Sequence, residues 1–154
     1  VHVEVGPAPG ERLEFSPESS LAEYLEIPGL RAELRITLAG YPLGCEGYEP
    51  PPAGRPLVSL RILTPPGQPP VATSYAWTAR SDPPRAEPSV RIGARAYSLP
   101  PGGSVTLHKV DLNSDGAIEG DLDFEFPGDG EHAPTGLRGR FRAKLCRVRT
   151  AESP

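Results

Sequence analysis

Apolar and polar residues alternate with a period of two through most of this chain, in short runs separated by clusters of proline and glycine. The clearest run places Leu30, Ala32, Leu34, Ile36 and Leu38 on one side and Arg31, Glu33, Arg35 and Thr37 on the other, the signature of a half-buried strand. Val1, Val3 and Val5 alternate with His2 and Glu4 and predict a strand at a sheet edge, stopped by Gly6, Pro7, Pro9 and Gly10. Further strands are expected over 57–63, 71–79, 89–98, 104–111, 117–126 and 137–148, each bounded by turn residues. One segment breaks the pattern. Ser16 before Pro17 and Glu18 is a helix-start signal, and Leu21, Tyr24 and Leu25 share a helical face ahead of Pro28 and Gly29, so one short N-terminal helix is expected there. The fold class is all-β, a single domain over 1–154. An antiparallel two-sheet sandwich is expected, with a meander barrel as the alternative.

The last hairpin can be read more finely. Ile118, Gly120, Leu122, Phe124 and Phe126 point inward on one strand, and Leu137, Gly139, Phe141, Ala143 and Leu145 on the other. The outward residues are acidic on the first (Glu119, Asp121, Asp123, Glu125) and basic on the second (Arg138, Arg140, Arg142, Lys144). With Phe126 opposite Leu137, the register sets Glu125 by Arg138, Asp123 by Arg140, Asp121 by Arg142 and Glu119 by Lys144. It also sets Phe124 opposite Gly139. The same alternation turns Cys146 outward and lays the segment around Cys45 over the outer side of this strand.

Composition narrows the class. The 21 prolines and 17 glycines among 154 residues would suit disorder, but the alternating apolar runs between them make a small turn-rich β protein the better reading. A net charge of −4 and a pI near 5.4 argue against nucleic acid as a partner, since phosphate binding needs a surplus of cations on one face. No apolar run approaches the roughly 18 residues of a membrane span. The chain opens on Val1 and contains no Met, as expected of a piece trimmed from a longer precursor. Cys45 and Cys146 fit neither a zinc pair nor a redox motif and are expected to form a disulfide; the alternative is two buried thiols in a reducing compartment. A loop of about 100 residues closed this way gains roughly 4.7 kcal/mol in the chain-entropy account, and the bond implies an oxidising, extracytoplasmic location.

Candidate chemistry is sparse. The histidines, His2, His108 and His132, sit in no recognisable motif, and nucleophile, zinc-protease and phosphate-loop signatures are missing from the sequence. The acidic row from Glu119 to Glu125 could supply a hydrolase with two carboxyl groups, but a cross-strand charge ladder accounts for it more simply. Asp111, Asn113, Asp115 and Glu119 match the opening of a calcium loop, with Gly116 at its sharp turn. The closing bidentate carboxylate is replaced by Leu122, and Asn-Ser-Asp-Gly is equally an ordinary hairpin turn. No other cofactor is indicated. Tyr75 and Trp77 read as core. Tyr41 and Tyr48, flanking Cys45 in the irregular segment 39–56, are the ligand-binding candidates, because a stapled loop can present aromatics to solvent.

Gly103-Ser104-Val105-Thr106-Leu107, then Ile118-Glu119-Gly120-Asp121-Leu122-Asp123-Phe124, then Leu137-Arg138-Gly139-Arg140-Phe141-Arg142-Ala143 with Cys146 form a distinctive tail. It resembles the closing hairpins of uncharacterised bacterial secreted proteins and lipoproteins, whose pattern is GxVxL, IxGxF and LxGxFxAxxC, with a departure at Leu122. The resemblance implies a secreted or envelope β domain, often lipid-anchored upstream, and no activity. The expectation is an extracytoplasmic binding or structural module for a protein or carbohydrate ligand. A small hydrolase using loop carboxylates and a calcium-dependent adhesion module are the alternatives.

Overall fold

The structure, a computed structural model, describes residues 1–5, 11–129, 131 and 133–150. The expected turn at Gly6 to Gly10 and His132 lie outside these residues. The described chain contains strands and no helix: β1 (His2–Val5), β2 (Glu11–Glu14), β3 (Ser19–Ile27), β4 (Arg31–Ala39), β5 (Pro56–Thr64), β6 (Ser74–Ala76), β7 (Arg85–Ile92), β8 (Arg95–Ser98), β9 (Ser104–Val110), β10 (Ala117–Phe126) and β11 (Thr135–Thr150).

The all-β class holds, and the expected short N-terminal helix does not. The segment read as a helix is β3, paired along its whole length with β4 from Ser19↔Ala39 to Ile27↔Arg31. Pro28 and Gly29 stop no helix; they turn a hairpin, with Gly29 at φ 74° and the Leu30 N–H donating to the Ile27 carbonyl at 3.0 Å. Leu21 and Leu25 lie on the face of β3 opposite Ala22 and Tyr24, and apolar residues on both faces of a strand imitate helical spacing. The strands are linked along one hydrogen-bonded path that includes a parallel pair. They form one mixed, open sheet in the order β6-β9-β10-β11-β3-β4-β5-β7-β8, with β1 beside β11 and β2 beside β1. The join between β11 and β3 is parallel, and β6 and β8 end the path without pairing into a barrel.

β11 makes that join possible. Its first part pairs with β10, while residues 136–138 also pair with β1 on the other side. Its second part, from Lys144, runs beside β3. The ladder slips between Leu145 and Arg147, so Cys146 is an extra residue at a bulge and both Cys146 and Arg147 reach the outer side. Inner-face residues from both arms of the sheet, including Val3, Leu34, Ile62, Tyr75, Val90, Leu107 and Phe124, pack in one core. Tyr75 is buried there, bonded through its hydroxyl to the backbone of Val71, and Trp77 packs against it with Nε1 donating to the Leu99 carbonyl at 2.9 Å.

The β10–β11 register differs from the expected one by two residues: Glu119 faces Arg142, Asp121 faces Arg140, Asp123 faces Arg138 and Glu125 faces Gly136. A shift of two keeps every side chain on its face, so hydrophobicity alone leaves the choice open. Packing decides it. Gly120 stands opposite Phe141, and a Cβ on Gly120 would lie 2.5 Å from the Thr106 carbonyl and 3.0 Å from the Phe141 ring. Leu122 takes Gly139, and Phe124 takes Leu137. Charge reversal at Asp121 and Arg140 together should recover part of the stability that either loses alone, with a coupling of about 0.5 kcal/mol, as exposed pairs give. The same cycle on Asp123 and Arg140 should give none. Urea unfolding of both variant sets reads this, and a larger coupling for the second would restore the other register.

Candidate functional site

The segment 40–55 is irregular but firmly tied. Buried Ser19, at the start of β3, donates to the Tyr41 carbonyl at 3.1 Å and accepts from the Leu43 N–H at 2.7 Å. Tyr41 is itself buried, packed with Ala39, Leu57 and Leu43, and its hydroxyl donates to the Glu49 carbonyl at 2.8 Å. Burial pushes that hydroxyl's pKa up, so Tyr41 serves as an internal strut rather than the solvent-facing aromatic expected from the sequence. Cys45 is bonded to Cys146 across 101 residues, with Cα atoms 5.4 Å apart. Beside the bridge, Arg147 Nη2 donates to the Cys45 carbonyl at 3.0 Å. Tyr48 remains 61% exposed, its hydroxyl accepting from Arg91 Nη1 at 3.1 Å.

Between this loop and the outer face of β3, β4 and β11 lies a cavity of about 260 Å³. Its floor is Leu21, Ala22, Glu23, Arg35 and Thr37; its roof is Leu43, Gly44, Cys45, Gly47 and Tyr48; Cys146 and Arg147 close one side. Cross-strand pairing extends the floor into a charged lattice. Glu23, Arg35, Arg61 and Glu87 form one row across β3, β4, β5 and β7, and Glu33 lies in the neighbouring row with Leu63 and Arg85.

Glu33 is the centre of that lattice. Its position in the alternation of β4 is an outward one, yet its side chain is 0% exposed, enclosed by arginines. Arg61 Nε donates to Oε1 at 2.8 Å, Arg35 Nε donates to Oε2, and Arg31 Nε is 3.6 Å from Oε1. Burial alone would raise the Glu33 carboxyl, but the hydrogen bonds from Arg61 and Arg35, with their charges, outweigh it and hold it below the ordinary carboxylate range. Glu23 is likewise shared, by Arg147 at 3.3 Å and by Arg149. Arginines thus outnumber carboxylates on this face. The Nε atoms of Arg31, Arg85 and Arg91 are buried without a hydrogen-bond acceptor among the described residues.

The other expected site residues do not converge. Asp111 Oδ1 accepts from the Asn113 backbone at 3.0 Å and from its side chain at 2.9 Å, bonds that lower its pKa and make an Asx turn. Asp115 takes φ 60° within this turn, and Glu119 lies on β10, 3.4 Å from Arg142. No group of three or more His, Cys, Asp or Glu among the described residues is placed to hold a metal. His108 Nε2 is 2.7 Å from Asp121 Oδ2 on the exposed face of β9 and β10, with Arg140 on the other side of that carboxylate at 3.4 Å. His2 lies 3.4 Å from Glu14.

Comparison of the chain with protein-family models, with curated proteins and with solved structures finds no match. The site therefore rests on its own geometry. The Cys45–Cys146 pair was legible in the sequence; Glu33 and its arginines were not, their only signal being one carboxylate set between Arg31 and Arg35 on the polar side of β4.

The Glu33 cage sets a pH dependence. A carboxyl lowered in the folded state contributes stability above its unfolded pKa and loses that contribution as pH falls through the folded value. Stability should hold from neutrality to about pH 5 and decline below the ordinary 4.5. Glu33→Gln, which strands three arginines, should cost roughly 3 kcal/mol at neutral pH and flatten that decline. Parallel pH profiles for the native chain and the variant, measured by urea midpoint, would contradict this account.

Proposed function

We propose that this all-β chain, wrapped around one core in the manner of a sandwich, is an extracytoplasmic binding module whose recognition surface is the cavity under the Cys45–Cys146 loop. The observation that carries the reading is the tethered roof. A disulfide, the Ser19 bonds and the Arg147–Cys45 bond all hold one short loop at a fixed height over an otherwise exposed sheet face. Fixing a loop in advance removes the ordering penalty a ligand would otherwise meet, which is the physical use of such a staple. The tail pattern resembling bacterial secreted proteins and lipoproteins favours the same compartment and suits a lipid anchor upstream.

A hydrolase finds less support. Glu23, the carboxylate that lines the cavity, and Glu33, buried behind Arg35, are both held by guanidinium groups, whereas acid and base catalysis needs a pair free to exchange protons. Protein or carbohydrate ligands fit the module reading better, with Tyr48 as an exposed ring at the rim.

Two measurements test the proposal. Thiol titration of the protein taken from its native compartment, denatured without reductant, should find no free thiol; two reactive thiols would place the chain in a reducing compartment. Gly47 lines the cavity, and a Cβ there meets nothing within 4 Å, so Gly47→Trp adds bulk at the mouth of the cavity without backbone strain. On saccharide and protein arrays the variant chain should lose at least tenfold in retention of whatever the native chain binds. Equal retention would remove the cavity from the function.

A further inference from the structure

The ionic balance of the cavity floor points to the class of ligand. Across the outer face six guanidinium groups, those of Arg31, Arg35, Arg61, Arg85, Arg147 and Arg149, surround three carboxylates, Glu23, Glu33 and Glu87, and of these Arg35, Arg147 and Glu23 line the cavity. Each carboxylate is already neutralised by more than one arginine, so the face holds a positive surplus inside a chain of net charge −4. Arg35 bonds Glu33 through Nε alone among the described residues, which leaves its terminal nitrogens to other acceptors, and Arg35 and Arg147 both line the cavity. Their hydroxyl neighbours there are Thr37 and Tyr48. Tyr48 Oη already accepts from Arg91, so its own proton is free to be donated outward.

We infer that the cavity binds a small oxyanion-bearing ligand, a carboxylate or a phosphate on a group of about one sugar ring, with Arg35 and Arg147 facing the anion and Tyr48 at the rim. The inference rests on the binding-module reading and adds the ligand's chemistry to it. Three physical points carry it. A planar guanidinium offers paired donors matched to the oxygens of carboxylate and phosphate, and surplus arginine beside a cavity serves that recognition. The loop roofs one side of this half-open cavity, so salt screens such a pair less than on the bare sheet face. The volume, about 260 Å³, lies just below the range of drug-sized pockets and suits a single ring-sized group rather than a long polymer segment.

The test is calorimetric titration of the full chain with galacturonate and with glucose 6-phosphate, using galactose and glucose as uncharged controls. At least one anion should bind about tenfold or more tightly than its uncharged control, and raising the salt concentration should weaken it. Preference between the two anions separates a carboxylate site from a phosphate site. Arg147→Gln should weaken the anion about tenfold while Arg147→Lys retains part of the affinity, and the disulfide keeps the loop in place in both variants. Uncharged sugar binding as tightly as its acid, with Gly47→Trp abolishing both, would overturn the anion inference and leave the cavity as the binding site. Anion binding unchanged in Gly47→Trp would overturn both. No heat from either anion up to about 10 mM would overturn the anion inference alone.

Discussion

One strand carries the architecture. β11 is sixteen residues long and pairs with β10, β1 and β3, so the first and last parts of the chain meet on it. Without the parallel join to β3 the sheet would fall into two halves, each with an exposed edge. The bulge at Cys146 follows from the same demand: passing from an antiparallel partner to a parallel one, β11 takes up an extra residue and changes which side chains face outward. Arg147 reaches Glu23 and the Cys45 carbonyl because of that shift, and the disulfide is anchored at the bulge itself.

The outer face bought by this arrangement is unusual in its polarity. A sheet with its second face toward water ordinarily carries scattered charges whose pairs contribute little. Here a carboxylate is fully enclosed at the centre, and its desolvation is offset by several guanidinium partners rather than one. Buried ion pairs are weak evidence for stability but strong determinants of position, because removing either partner leaves an uncompensated charge. Glu33 fixes Arg35 and Arg61 in place, and Arg35 is thereby presented to the cavity.

The sequence made some of this legible and not the rest, for reasons that can be named. The strands with strict alternation, β4 and β10 above all, were readable because one face is apolar along its whole length. β3 is hard to read because it carries apolar residues on both faces, Leu21 and Leu25 opposite Ala22 and Tyr24, so its pattern has no clean period. The β10–β11 register was readable to the correct face but two residues out, since acidic and basic rows match in either alignment; the glycine-to-phenylalanine contact that selects one is a matter of packing. The cysteine pairing followed from number and spacing. The arginine surplus was hidden by averaging: the net charge of −4 gives no sign of a local excess assembled from β4, β5 and the end of β11.

The meeting of both ends of the chain on β11 also bears on how the fold is reached. β1 and β3 each have one ladder partner close in sequence, β2 and β4, but lack the second until residues 136–150 exist. Sheets built from such distant pairings form slowly, because loop closure must precede the contacts that repay it. The β3–β4–β5 meander can assemble early, but the strand that completes the cavity wall arrives last. Folding of this sheet therefore waits on β11, and until that strand docks the outer edges of β1 and β3 stay open to pairing with other chains.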